Sequence, residues 1–67
     1  MVTSKLKGKI AEAGYSQRSL AQELGISKNT LNAKINGKTP FNTVEIERLC
    51  EKLGIYDGAE KAAIFLS

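Results

Sequence analysis

The chain has 67 residues, a length typical of one small domain, and it carries ten Lys and Arg against seven Asp and Glu. It contains one Cys and no His, which excludes a disulfide within the chain and leaves too few ligands for a zinc site. No apolar run approaches the roughly 18 residues of a membrane span, and no signal peptide is visible. We therefore expect a single domain over residues 1–67 in the cytoplasm, with no membrane, metal, cofactor or small-molecule ligand.

The charge is distributed unevenly along the chain. Residues 1–38 carry seven basic and two acidic side chains, whereas residues 39–67 carry three basic and five acidic ones. A basic half is typical of a surface that binds a polyanion. A solvated surface on an ordinary basic protein shows the same asymmetry, so the charge alone does not decide between the two interpretations.

The first predicted helix begins near Thr3 or Ser4 and runs to Ala13. Apolar residues spaced by about one helical turn define its inward face. Gly8 lies inside this helix, where glycine costs about 1 kcal/mol relative to alanine. The apolar face consists of Leu6, Ile10 and Ala13.

Residues 16–37 predict two short helices joined by a tight turn. Ser16 and Ser27 are good N-cap residues, because a serine hydroxyl accepts a hydrogen bond from a backbone N–H that the first turn leaves unpaired. Gly25 between them can adopt the left-handed conformation that ends a helix. Two short helices around such a turn form a helix-turn-helix. The predicted helices cover residues 17–24 and 28–36.

Apolar residues four positions apart mark the inward faces of these two helices. Leu20 and Leu24 form such a pair in the first helix, and Leu31 and Ile35 form one in the second. Residues spaced in this way lie one above the other on a helix. The pattern predicts that both helices pack on one core and that the second has a polar outer face.

A fourth helix is predicted between Asn42 and Gly54. Asn42 is its N-cap, Glu45 completes a capping box, and Gly54 is the C-terminal stop. The apolar face consists of Ile46, Leu49, Cys50 and Leu53.

Residues 56–67 form a C-terminal tail. Asp57 and Glu60 predict another capping box, and the apolar run 62–66 fits either a fifth helix or a terminal strand. The tail either packs on the core of its own domain or forms an interface with a second copy or a partner protein.

The helix-turn-helix stretch resembles that of phage repressors and Cro proteins, the larger family of lambda-type DNA-binding domains. The similarity extends more weakly over residues 3–55. It implies an all-α fold, a compact lambda-repressor-like domain of four to five helices with the helix-turn-helix in helices 2 and 3. The matching residues are Gln17, Leu20, Ala21, Leu24, Gly25, Ile26, Leu31, Asn36 and Gly37.

One residue departs from the family pattern. Lys34 stands where the family usually has an aliphatic residue, and we expect Ile35 to take over that packing role. The rotation of helix 3 about its axis is left open by this departure.

The outward face of helix 3 is polar and nearly free of negative charge. An α-helix fits the major groove of B-DNA, where asparagine pairs with adenine, lysine donates to guanine or sits against a phosphate, and methyl groups contact thymine. Thr30 offers either its methyl or its hydroxyl group. With Leu31 and Ile35 inward, the residues on or near the opposite face are Lys28, Asn29, Asn32, Ala33 and Asn36.

The family resemblance implies a role for several of these positions. The residue matching Gln17 binds a phosphate and braces the start of helix 3. The positions matching Lys28, Asn29 and Ala33 read bases. Those matching Asn36 and Lys38 contact the DNA backbone. The predicted DNA-binding residues are therefore Gln17, Ser27, Lys28, Asn29, Thr30, Asn32, Ala33, Asn36 and Lys38.

These features predict a sequence-specific transcriptional regulator of the phage Cro/repressor type in a bacterial host cell. It would occupy operator DNA, with half-sites about 34 Å apart. We expect a homodimer at least when the protein is bound to DNA. The start at Met1 and the full-looking tail favour a complete Cro-like protein over the isolated DNA-binding half of a repressor.

The alternative is a small phage regulator that binds a repressor protein, as a modulator or antirepressor, through the apolar tail. An enzyme is not expected, because the chain has no His, no nucleophile–base pair and no glycine-rich phosphate loop.

Overall fold

The computed structural model describes residues 1–66, which form five α-helices. Because this part of the chain contains no β-strand, the all-α prediction is confirmed, with the larger of the two expected helix counts. Ser67, the last residue of the predicted tail, lies outside the described residues. The helices are α1 (Thr3–Glu12), α2 (Gln17–Leu24), α3 (Lys28–Ile35), α4 (Thr43–Leu53) and α5 (Gly58–Phe65).

Helix α1 ends one residue earlier than predicted. Ala13 is its C-cap, and Gly14 follows with a φ of 81°. This left-handed residue turns the chain away, so Ala13 is exposed and its predicted place on the inward face is wrong. Leu6 and Ile10, the other two residues of that predicted face, are buried.

Serine caps begin α2 and α3, as predicted. The hydroxyl of Ser16 accepts a hydrogen bond from the Ser19 N–H at 3.1 Å, and the Ser19 hydroxyl accepts one from the Ser16 N–H at 2.9 Å. Ser27 accepts from the Thr30 N–H at 3.1 Å. Between the two helices, Gly25 has a φ of 71°, which ends α2 and redirects the chain into α3.

Helix α4 begins with the predicted capping box. The side-chain oxygen of Asn42 accepts from the Glu45 N–H at 2.7 Å, and a Glu45 carboxylate oxygen accepts from the Asn42 N–H at 2.9 Å. This arrangement satisfies two backbone donors that the first turn would otherwise leave unpaired. The side chain of Glu45 is thereby fixed at the start of α4.

The C-terminal apolar run forms the helix α5 and not a strand. Asp57 caps it by accepting a hydrogen bond from the Ala59 N–H at 2.9 Å. The predicted capping box with Glu60 is wrong, because the Glu60 carboxylate lies 3.0 Å from the ammonium of Lys9 on α1. The residue therefore joins α5 to α1.

Part of the tail belongs to the core of its own domain. The side chain of Ile64 is 2% exposed, and its carbonyl accepts a hydrogen bond from the Val2 N–H at 2.8 Å. Leu66, just beyond α5, is 82% exposed. The tail thus packs inward through α5 and leaves a large apolar side chain at the surface.

All five helices contribute to one apolar core. Cys50 lies within it, and burial raises the pKa of its thiol, which favours a packing role over a reactive thiolate. The buried residues are Leu6, Ile10, Leu20, Ala21, Leu24, Leu31, Ile35, Leu49, Cys50, Leu53, Ile55 and Ile64.

Candidate nucleic-acid interface

Helix α3 is anchored to the core along one face and at its C-terminal end. Leu31 and Ile35 are both 0% exposed, so Ile35 does take the packing role expected of it. The hydroxyl of Thr3 on α1 donates to the Ile35 carbonyl at 3.1 Å. Asn36 is the C-cap of α3, one residue beyond the helix, whereas the sequence predicted it as the last helical residue.

Lys34 is held by the first turn of α4. Its ammonium lies 2.6 Å and 2.7 Å from the two carboxylate oxygens of Glu45, and 5.9 Å from the ring centroid of Phe41. The side chains of Lys34 and Glu45 are only 15% and 19% exposed. The hydrogen bond from Lys34, with a second from the Asn42 N–H, holds the pKa of Glu45 below its usual value of 4.5. The residue that departs from the family pattern therefore has a partner of opposite charge.

Polar contacts on both flanks set the rotation of α3. At about 100° per residue, Asn32 and Lys34 lie on opposite sides, each about 80° from the buried direction midway between Leu31 and Ile35. The Lys34 flank is tied to α4, whereas Asn32 is tied to the start of α2. Between the flanks, Asn29 and Ala33 occupy the middle of the outward face. The rotation that the sequence left open is resolved by these two contacts.

Three carboxamides form a chain of hydrogen bonds beside this face. The Asn32 amide nitrogen donates to the Gln17 side-chain oxygen at 3.0 Å, and the Asn36 amide nitrogen donates to the Asn32 side-chain oxygen at 3.0 Å. We call Gln17, Asn32 and Asn36 the amide ladder. It runs from the first residue of α2 to the C-cap of α3.

The structure places the predicted contact residues on α3, at its two ends and at the start of α2. The hydroxyl of Ser27 donates to the Thr30 hydroxyl at 2.8 Å, so the two side chains are engaged with each other. Within residues 1–66, Lys28, Asn29 and Lys38 make no side-chain hydrogen bond or ion pair. Gln17 and Ala33 are half-buried, and the exposed members of the set are Ser27, Lys28, Asn29, Thr30, Asn32, Asn36 and Lys38.

A family model for the Cro/C1-type HTH DNA-binding domain matches residues 5–56, more than half of the chain. The chain belongs to this family. The match contains the whole of α2, its turn and α3, and it ends before α5 begins. No curated protein and no solved structure matches the chain. A Cro/C1-type domain is a DNA-binding transcription regulator, and the family is typically not enzymatic.

The Cro/C1-type domain has no negative charge next to α3 in sequence. Residues 24–44 contain three lysines and neither Asp nor Glu. Lys34 is neutralised by its partner on α4, whereas Lys28 and Lys38 are exposed and, among the residues described, form no ion pair. Two uncompensated positive charges therefore lie at the two ends of α3, where a polyanion can approach the outward face.

The five helices within residues 1–66 are all too short or too polar to cross a membrane. In the same part of the chain, no three His, Cys, Asp or Glu side chains are grouped so as to hold a metal ion.

Proposed function

We propose that this domain is a sequence-specific regulator of the phage Cro/repressor type that binds operator DNA with α3 in the major groove. The observation that carries the proposal is the outward face of α3. The helix is anchored in the core through Leu31 and Ile35 and is held on both flanks by contacts with α4 and α2. It lies in the sequence stretch 24–44, which contains no Asp or Glu. A rigid helix with a short, polar, uncharged middle and positive ends fits the groove between two phosphate backbones.

We assign base contacts to residues in the first turn of α3 and in the middle of its outward face. The free carboxamide of Asn29 has the donor and acceptor that pair with adenine N6 and N7. Lys28 suits guanine O6 and N7, and the methyl groups of Thr30 and Ala33 suit thymine. Because the Thr30 hydroxyl accepts a hydrogen bond from Ser27, the Thr30 methyl group is more available for a base contact. Ser27, beside it, then lies close to the DNA backbone.

We assign phosphate contacts to residues at helix ends. Gln17 is the first residue of α2, where backbone N–H groups and the helix dipole favour an anion. Asn36 and Lys38 follow α3 and bring polar and positive groups to the other end of the face. Such contacts set the register of the protein on the duplex and carry no sequence information directly.

We also propose that two copies bind one operator. Val44 is 57% exposed and Leu66 is 82% exposed. A groove is lined by Phe41 and Ile46, which lie three and two positions from Val44 in the sequence, and by Phe65, which precedes Leu66. The rings of Phe41 and Phe65 make an edge-to-face contact at 6.3 Å. Apolar surface of this kind is stabilised when a second copy covers it.

The dimensions of the domain support a second copy as the occupant. The groove also touches Asn36 and Gly37, so it lies next to the C-terminal end of α3. The domain measures 29 × 24 × 21 Å. Half-sites one turn apart are separated by about 34 Å, so domains on adjacent half-sites come side by side. A contact through this groove then joins the two α3 helices across a two-fold axis.

The same exposed apolar side chains also favour a second candidate, in which the domain binds a repressor protein and modulates it. Val44 and Leu66 would then contact a different chain. The two candidates differ in what they require of α3, because only operator binding depends on its outward face.

A salt titration of DNA binding tests the proposal. Affinity for double-stranded DNA, measured by fluorescence anisotropy, should fall linearly in log–log form between about 50 and 200 mM salt, with a slope of about −0.9 per phosphate neutralised. Lys38→Gln should reduce the slope by about 1, whereas Arg48→Gln removes the same charge from α4, outside the proposed contact residues, and should leave the slope unchanged. A flat salt dependence would contradict the DNA-binding proposal and favour the protein partner.

A further inference from the structure

The amide ladder places its three side chains unequally with respect to DNA. Asn32 lies on the flank of α3 that faces α2, whereas Asn29 lies near the middle of the outward face. Asn32 uses its amide nitrogen for Gln17 and its oxygen for Asn36. Its carboxamide is thus held from both ends, unlike the free carboxamide of Asn29.

The ladder also fixes which end of the Gln17 carboxamide is free. A carboxamide has two N–H donors on nitrogen and two lone pairs on oxygen. The oxygen of Gln17 accepts from Asn32, so its nitrogen, with both donors, points away from that contact. A phosphate oxygen only accepts hydrogen bonds, so this is the orientation in which Gln17 can bind one.

The order of the ladder makes Asn36 part of the same arrangement. Its donation to the Asn32 oxygen fixes the Asn32 amide with nitrogen toward Gln17. A long, flexible glutamine side chain is therefore ordered before DNA arrives, which lowers the entropy lost on binding.

We infer that Asn32 is a positioning residue which, together with Asn36, orients the Gln17 amide toward a DNA phosphate and does not read a base. This inference rests on the proposed DNA-binding function. It separates the two asparagines of α3 by role: Asn29 determines which sequence is bound, and Asn32 determines how tightly any sequence is bound.

The test compares Asn32→Ala with Asn29→Ala. Both remove the same carboxamide group, one on the flank of α3 and the other near the middle of its outward face. Affinity is measured for the duplex that the wild-type protein enriches from random DNA, for each single-base variant of that duplex and for an unrelated duplex. Asn32→Ala should weaken binding to all of them by a similar factor, about 3- to 10-fold, the loss of one hydrogen bond. Asn29→Ala should change the ranking of the base variants.

A double-mutant cycle tests whether Asn32 acts through Gln17. Gln17→Ala and Asn32→Ala should each lower the affinity, and the double variant should lose no more than the larger single loss. Asn32→Asp cannot donate to the Gln17 oxygen and should weaken binding more than Asn32→Ala. In the Gln17→Ala background, that excess should shrink to the repulsion between the new carboxylate and the phosphates.

Neutral methylphosphonates placed singly along that duplex give a second readout. At the phosphate that Gln17 contacts, identified as the one whose replacement does not affect Gln17→Ala, the replacement should weaken wild-type binding but have little further effect on Asn32→Ala. Asn29 and Asn32 are exposed and Gln17 is half-buried, and the folding of every variant is checked by thermal unfolding.

Two results would overturn the inference. One is a changed base preference in Asn32→Ala, which would make Asn32 a reading residue. The other is additive losses in the Gln17 and Asn32 cycle, which would mean that the two act independently. Failure of the wild-type protein to bind any duplex is a different result: it overturns the DNA-binding proposal itself and with it this inference.

Discussion

The ammonium of Lys34 lies 2.6 Å from a carboxylate oxygen of Glu45, which joins the C-terminal half of α3 to the first turn of α4. The same carboxylate caps α4 by accepting from the Asn42 N–H. One acidic side chain thus begins one helix and sets the rotation of another. The contact gives a structural reason for the lysine that departs from the family pattern.

Removing either charge of this pair should destabilise the domain. Glu45→Gln keeps a side chain that can complete the capping box, and Lys34→Met keeps the apolar stem of the lysine. Each should lower the free energy of unfolding by about 1–2 kcal/mol, between the values for exposed and for buried ion pairs. Urea unfolding at neutral pH measures the effect.

The double variant is the control for this prediction. Lys34→Met combined with Glu45→Gln leaves no unpaired charge, so it should cost less than the sum of the single changes. Additive losses would contradict a stabilising pair between Lys34 and Glu45, as would single variants that are as stable as the wild-type protein.

The stabilisation by Glu45 should depend on pH. Because the pKa of Glu45 is lower in the folded state than its ordinary value of 4.5, its contribution is fully present above that value. It is lost as the pH falls through the lowered pKa of the folded state. The difference in unfolding free energy between the wild-type protein and Glu45→Gln should therefore be largest near neutral pH and should shrink on acidification. A difference that is constant with pH would contradict the pairing with Lys34.

Two glycines should respond oppositely to alanine. Gly8 lies in α1 with nothing within 4 Å of the position of an added Cβ, so Gly8→Ala should stabilise the domain by about 0.5–1 kcal/mol. Gly25 has a φ of 71° at the end of α2, so Gly25→Ala should destabilise it by about 1–2 kcal/mol. Thermal unfolding of the two variants measures both effects. Destabilisation by Gly8→Ala would contradict the open space beside Gly8, because it would mean that another group packs against this position.

The exposed apolar end of the tail should matter for assembly and not for folding. Leu66→Asp should leave a folded monomer that binds a two-half-site duplex more weakly, whereas Tyr56→Asp, a change at a side chain 81% exposed, should have no such effect. Analytical ultracentrifugation of the protein–DNA complex gives the stoichiometry. Unfolding of Leu66→Asp, or equal effects of both variants, would contradict the proposed interface.

Local signals predicted most of the fold. Ser16, Ser27 and Asn42 cap helices because the partners of each cap lie within three residues, and such patterns are visible in a sequence. Gly25 ends α2 for an equally local reason.

Contacts between helices could not be predicted from the sequence. Lys34 and Glu45 lie 11 residues apart, and Gln17 and Asn32 lie 15 apart, so neither pair leaves a periodic pattern. Glu60 shows the reverse case, because its spacing from Asp57 fits a capping box while its partner is Lys9 on another helix. The outward residues of α3 were predictable from the buried ones. The sequence did not predict which of its polar side chains bond to neighbouring helices and which remain free.

A selection from random duplex DNA at physiological salt measures whether α3 reads a DNA sequence. The wild-type protein should enrich a palindromic consensus with half-site centres about one helical turn apart. Asn29→Ala should lose about 1–3 kcal/mol of discrimination at one position of each half-site and retain its fold. Recovery of no consensus by the wild-type protein, or of the same consensus by Asn29→Ala, would contradict sequence reading by α3.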